Sequence, residues 1–227
     1  MDDRKLFIEL YFKNWKESFS KVKTLLKQDD YYLEAILILS CYIGAFAALR
    51  YPAIQYDGDK YKKIVSEYSG MKEMYELIDL LFFYQWPRSD FKDHGEYKKL
   101  KHHTELVSIL IRKYGDEAKI KEGTRYISQD EFISHILSNS FVDFDEENLK
   151  QYLPLFSLCE MLYRYLRCYA VHNVSFPFVN KGQMVDGKII YQDNHKITRD
   201  VLLQTSENIL NNLESECIKL IKWPNEL

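Results

Sequence analysis

Residues Ala35 to Leu49 read AILILSCYIGAFAAL, an unbroken run without a charge. Wound as a helix at about 1.5 Å per residue, the run is roughly 22 Å long, short of the roughly 30 Å hydrocarbon core of a bilayer. Glu34 and Arg50 bracket it closely. A helix apolar on every side belongs in a membrane or at the centre of a larger bundle. The length selects the second: an all-α protein built around a helix over 31–50, with no membrane as a partner. Asp29-Asp30 offers an N-cap for that helix, and Pro52 stops it, because the residue before proline avoids the α region. Upstream, Asp3 to Gln28 sets Leu6, Leu10, Trp15, Phe19, Val22 and Leu26 near helical spacing, which predicts an amphipathic helix.

The composition agrees with a helical domain. The chain has 227 residues, 46% hydrophobic and 29% charged, enough for one domain over 1–227 to bury a core without staples. Only eight glycines and five prolines argue against a turn-rich all-β fold. The formal net charge of −3 means that any affinity for a polyanion needs a local patch of Lys and Arg. The four cysteines, Cys41, Cys159, Cys168 and Cys217, lack the CxxC spacing of a zinc site. MDDRKLFIEL at the start has no apolar leader segment, so a reducing, cytoplasmic setting is expected.

Downstream of Pro52 the pattern predicts further helices. One runs from about Asp59 to Ser69, ending at Gly70, and another from Met71 to about Tyr84, before Trp86-Pro87. Arg88 to Gly95 reads as a loop and Glu96 to Tyr114 as a helix. Asp116 to Tyr126 is charged and expected to be exposed. Ser128 and Glu131 form an S-x-x-E capping box that starts a helix to about Ser138. Asp143 to Lys150 is an acidic turn or short helix. A long helix then runs from Pro154 through LFSLCEMLYRYLRCYAVHN, with Asn173 as its left-handed terminator. Gln183-Met184-Val185, Asp186-Gly187 and Lys188-Ile189-Ile190-Tyr191 carry a hairpin signature, two short β-prone runs around an Asp-Gly turn. Thr198 reads as the N-cap of a last helix to about Lys222, closed by Trp223-Pro224. The expected architecture is an up-and-down helical bundle with a small β-hairpin inserted before the last helix.

The chemistry-bearing stretch is Tyr165-Leu166-Arg167-Cys168-Tyr169-Ala170-Val171-His172-Asn173. It holds an R-x4-H pair at the end of the penultimate long helix, followed by a loop and a terminal helix. In this it resembles the HEPN superfamily, marked by R-x4-6-H in that place of a helical bundle; Leu166 and Asn173 also match the usual flanks. The resemblance covers about residues 154–222, and the rest matches only as long helices. It implies metal-independent cleavage of RNA, with His172 as general acid or base and Arg167 holding the scissile phosphate. It also implies 2′,3′-cyclic phosphate products, a homodimer, and a place in a bacterial toxin–antitoxin or phage-defence system with an antitoxin or regulatory protein as partner. The position after the motif arginine, polar in that family, is Cys168 here. Cys168, Asn173 and Glu160 are the candidate supporting residues, with Arg164 beside them. Five residues of ideal α-helix turn through about 500°, which leaves Arg167 and His172 about 140° apart. One α-helix cannot aim both at one atom unless it unwinds near Ala170 to Asn173; the alternative is a site composed across the twofold axis of a dimer.

Two other readings stand beside this one, a non-catalytic helical module and a membrane-associated helical protein centred on Ala35 to Leu49. Arg167 and His172 could cap a helix C-terminus, where cations are favoured, and Cys168 could be a small core residue. The same bundle would then be a non-catalytic module binding a protein partner, a nucleotide or RNA. Lys98-Lys99-Leu100-Lys101-His102-His103 is a basic run that reads as a solvated helix face or as a phosphate contact. His102 and His103 point about 100° apart and make a poor metal pair. His94 and His135 have no ligand-spaced neighbours, and His195 reads as a surface-loop residue. Tyr51, Tyr56 and Tyr61 read as core packing or as stacking platforms for single-stranded RNA. There is no phosphate-binding glycine loop, serine-hydrolase elbow or H-E-x-x-H, so no cofactor and no metal are expected.

Overall fold

The computed structural model describes residues 3–28, 31–88, 95–139, 144–168, 171, 183–185, 188–190 and 197–227. Its described part is mostly helical, and the chain divides into two compact units, residues 1–72 with 162–227, and residues 73–161.

In the first unit, α1 (Asp3–Leu26) and α2 (Tyr32–Arg50) come close to their expected bounds. α3 (Asp57–Tyr68) ends where Gly70 takes the left-handed φ of +68° that only glycine adopts without strain. The last helix of the chain, Arg199–Leu220, starts as its sequence predicts: Thr198 Oγ1 accepts from the Val201 N–H at 3.2 Å. α2 packs against α1, α3 and this last helix. Its buried positions are Ala35, Ile36, Leu39, Ser40, Ile43, Phe46 and Ala47, a one-sided helical stripe. The expectation of a helix enclosed on all sides is therefore corrected. On the opposite side Cys41 and Ala48 are exposed, and a methyl group at Gly44 would meet nothing within 4 Å. Residues that small carry little apolar area, so leaving them uncovered costs little. α2 is also, among the described residues, the helix long and apolar enough to cross a membrane. Its N-cap is Tyr31, which makes no side-chain cap bond; Asp29 and Asp30 lie outside the described residues.

Side-chain bonds tie the ends of these helices together. Arg50 Nε donates to the Tyr68 hydroxyl at 2.9 Å, and that hydroxyl donates to Glu216 on the last helix. The Tyr51 hydroxyl donates to Glu67. Asn208 and Asn212 donate from the last helix to the backbone carbonyls of Ser69 and Tyr68, at 2.7 and 2.8 Å, closing the end of α3. The hairpin lies where its signature placed it: β3 (Gln183–Val185) pairs antiparallel with β4 (Lys188–Ile190).

In the second unit the helices are shorter than expected. The predicted helix over 71–84 is instead α4 (Lys72–Tyr75), a two-residue strand β1 (Ile78–Asp79) and α5 (Leu80–Gln85). Asp79 explains the break. Its carboxylate accepts from the Phe82 N–H and is gripped by Arg125, which precedes the pairing strand β2 (Tyr126–Ile127). The predicted helix over 96–114 is also divided. A 3-10 turn at Tyr97–Lys99 leads to His102, at φ +60°, and then to α6 (His103–Tyr114). Asn148 sits at that break, accepting from the Lys101 N–H and donating to the Lys99 carbonyl, each at 3.0 Å.

α7 (Glu117–Glu122) fills part of the charged stretch and buries Ile120, so that stretch is not wholly exposed. α8 (Gln129–Asn139) starts as predicted, with Ser128 Oγ accepting from the Glu131 N–H at 3.1 Å. α9 (Glu146–Tyr152) follows Asp145, which caps it. The core of this unit is aromatic. Phe83 meets Phe156 at 4.7 Å, Phe132 at 5.1 Å and the His103 ring at 4.5 Å, while Trp86 stacks on Tyr97 at 5.4 Å.

Candidate functional site

The segment expected as one helix from Pro154 is three pieces. Leu153–Phe156 forms a 3-10 turn. Ser157, its Oγ accepting from the Glu160 N–H at 3.2 Å, then starts α10 (Leu158–Glu160). From Met161 to Cys168 the chain is π-helical. Such winding is rare and concentrates at functional sites. The five-residue step from Arg167 to His172 starts inside this stretch but runs into residues that lie outside the described ones.

Arg167 lies in this π-helical stretch. It is half-buried, and its guanidinium carbon is 5.7 Å from the centre of the Tyr163 ring. Its Nη1 approaches the Cys168 sulfur at 3.9 Å, and its Nε is buried with no hydrogen-bond partner among the described residues. No carboxylate among those residues pairs with it. Arginine does not deprotonate in proteins, so the cation stays charged while its neighbours among the described residues are aromatic rings and a thiol.

Those rings come from two places. Tyr163 is 8% exposed and meets the buried Tyr61 ring of α3 at 5.4 Å. Burial pushes the Tyr163 phenol well above its ordinary range; Cys168 and Tyr56 add to the shift and Arg167 opposes it. The phenol therefore stays protonated at neutral pH. Gly58, at the start of α3, sits between rings. A Cβ there would lie 2.6 Å from Tyr56 Cε1 and 2.8 Å from Tyr163 Cε1. Tyr56, just ahead of α3, is 56% exposed. Tyr56, Gly58, Tyr61, Tyr163, Arg167 and Cys168 thus form one constellation within the first unit. Sequence reasoning missed Tyr163 and Gly58. The first sits four residues before Arg167, a spacing that stacks side chains on one helical face. The second is a glycine inside a first helical turn, where close approach of a neighbour is the usual reason.

Of the other candidate residues, His172 and Asn173 lie outside the described residues, as do His94 and His195. Glu160 is 2% exposed and belongs to the second unit, whereas Arg167 and Cys168 belong to the first. The basic run does not form a single helix face: Lys101 pairs with Asp145 at 3.3 Å and His103 is half-buried, its Nε2 donating to the Phe83 carbonyl at 2.8 Å. Burial lowers the His103 pKa, with that carbonyl bond opposing. Tyr51 is buried, as core packing requires. Among the described residues no three His, Cys, Asp or Glu side chains gather as metal ligands would. No family model, no curated protein and no solved structure matches the chain.

Proposed function

We propose that the chain is a metal-independent endoribonuclease of HEPN type, an up-and-down helical bundle that works as a homodimer in the cytoplasm. The observation that carries this reading is the state of Arg167. A half-buried guanidinium without a carboxylate partner among the described residues, and with an unbonded Nε, is built to receive an anion. A phosphodiester supplies one, and the fork of an arginine matches its oxygens.

In the proposed reaction the ribose 2′-oxygen attacks the adjacent phosphorus and the P–O5′ bond breaks. One proton leaves the 2′-hydroxyl and one reaches the departing O5′, with His172 as the general acid or base. Arg167 offsets charge growing on the phosphoryl oxygens. The ends are a 2′,3′-cyclic phosphate and a 5′-hydroxyl, and no water is consumed. A role in toxin–antitoxin or phage-defence growth arrest, with an antitoxin or regulatory protein as partner, belongs to this proposal.

Cys168 favours a second reading. The group beside Arg167 is a thiol, a weak hydrogen-bonding group, in the place of a polar support. The chain would then be a module that binds RNA, a nucleotide or a protein partner without cleaving. The test is incubation of wild-type, Arg167→Ala and His172→Ala protein with total RNA in EDTA, followed by end-group analysis. Cyclic-phosphate ends from wild type alone support the nuclease. RNA bound by wild type, lost in Arg167→Ala and never cut, selects the binding module. No Arg167-dependent binding or cleavage overturns both RNA readings.

A further inference from the structure

We propose that Tyr56 is a stacking platform for the base of a single-stranded RNA nucleotide whose phosphate lies on Arg167, an inference that rests on the ribonuclease reading above. The geometry that points to it is the row Tyr56, Tyr163, Arg167. The edges of the Tyr56 and Tyr163 rings reach within 2.8 Å of a single point, the vacant Cβ position of Gly58. Arg167 lies against the Tyr163 ring, 5.7 Å from its centre. Tyr56 and the guanidinium are therefore both neighbours of one buried ring, an aromatic surface and a cation gathered around Tyr163.

The three tyrosines near Arg167 differ in what they can do. Tyr61 is 1% exposed and Tyr163 is 8% exposed, so their faces are spent in the core; Tyr56, at 56%, has a face free for a ligand. Gly58 is what lets that exposed ring stand so close to the buried pair, since any side chain there would drive Tyr56 and Tyr163 apart. The exposed carboxylates beside the platform are partly offset by cations. Asp57 pairs with Lys60 at 3.0 Å and Asp59 with Lys62 at 3.6 Å. Base-on-aromatic stacking beside a phosphate-binding cation is how proteins hold single strands without reading their sequence. A duplex would not serve, because its bases are stacked on one another and present no free face.

The test is binding of a fluorescein-labelled single-stranded oligoribonucleotide to the full chain carrying His172→Ala, at fixed salt. An abasic ribose-phosphate oligomer of equal length serves as the second probe. Tyr56→Ala is expected to weaken RNA binding about 10-fold, within the range found for removal of a stacking ring, and to leave the abasic probe unchanged. Tyr56→Phe should bind RNA within about twofold of its parent, because stacking needs the ring and not the hydroxyl. Arg167→Ala should weaken both probes. Tyr56→Ala binding RNA as tightly as Tyr56→Phe would overturn the stacking role, and continued loss in Arg167→Ala would leave the ribonuclease reading standing. Equal weakening of both probes by Tyr56→Ala would also overturn it, since Tyr56 would then act through Arg167. If Arg167→Ala binds both probes like its parent, or no probe binds at all, the phosphate site itself is refuted, and the platform with it.

Discussion

Removing Arg125 should destabilise the second unit more than any other single side-chain change at its short sheet. Asp79 is wholly buried, and Arg125 grips it from one side: Nε donates to Oδ1 at 3.0 Å and to Oδ2 at 3.1 Å, and Nη2 to Oδ2 at 2.7 Å. The carboxylate also caps α5 through the Phe82 N–H at 3.1 Å. Arg125→Met keeps the aliphatic stem but removes the guanidinium that balances that buried charge. Breaking a buried pair in this way costs about 3–5 kcal/mol. Asp79→Asn is milder. The amide oxygen can keep the cap, and Arg125, at 12% side-chain exposure and 5.2 Å over the Tyr126 ring, retains its cation–π contact. Its cost should be about 1–3 kcal/mol, that of charge-assisted bonds lost. The double variant removes both charges and should fall well short of the sum, giving a coupling of about 2 kcal/mol or more. Urea unfolding followed by tryptophan fluorescence reports on this unit through Trp86, with near-equal m-values as the control. Arg125→Met within about 1 kcal/mol of wild type, judged against that broken-pair range, would refute the reasoning.

Other outcomes follow from single contacts. His103 has a folded pKa below its unfolded value, so its contribution is full above about pH 6.5 and lost as pH falls through the lowered value. Wild type should therefore lose urea resistance as the pH falls below about 6.5, and His103→Phe should flatten that slope; parallel slopes would remove His103 as the cause. Gly58→Ala should cost about 1–3 kcal/mol through overpacking, because the nearly buried Tyr163 cannot retreat as the exposed Tyr56 can. A thermal midpoint equal to wild type would contradict the clash. Tyr68→Phe removes the hydroxyl shared by Arg50 and Glu216, and about 1–3 kcal/mol of stability should go with it; chemical unfolding of the variant checks this.

What the sequence disclosed were features whose cause is local. Thr198 caps its helix because a β-region threonine ahead of an apolar-periodic run has few other uses. Gly70 ends α3 because the left-handed turn selects glycine. The Asp-Gly pair flanked by β-prone residues gave away the hairpin. The features that stayed hidden have distant causes. Nothing near Asp79 announces that Arg125 will reach it, and nothing near Lys99 announces Asn148. One miss was avoidable. The S-x-x-E pattern that marks Ser128 and Glu131 recurs at Ser157 and Glu160, and in both places the serine caps a helix. Glu131 also shows the limit of the pattern, since its carboxylate accepts from Tyr114 at 2.7 Å and Lys113 at 3.3 Å.

The candidate site was legible as residue types and illegible as geometry, and the reason is the winding. An R-x4-H pair on an α-helix points two ways, so sequence arithmetic alone leaves it an awkward catalytic spacing. The stretch Met161–Cys168, which carries Arg167, departs from α winding, and His172 lies outside the described residues. Within the same turn sits a second departure from ordinary construction, a guanidinium half removed from water with no carboxylate partner among the described residues. Each departure costs stability: the π turns give up the close-packed α geometry, and the cation gives up hydration without a counter-charge. Rules of local construction are broken mainly where function gains from it. Two such breaks on one arginine, with Gly58 holding an aromatic cluster open to an exposed ring beside it, make this turn the place to look for the ligand. An anion bound there would restore the missing charge balance, so bound phosphate or RNA should raise the thermal midpoint of wild type and leave that of Arg167→Ala unchanged. Equal shifts in both proteins would place the anion elsewhere.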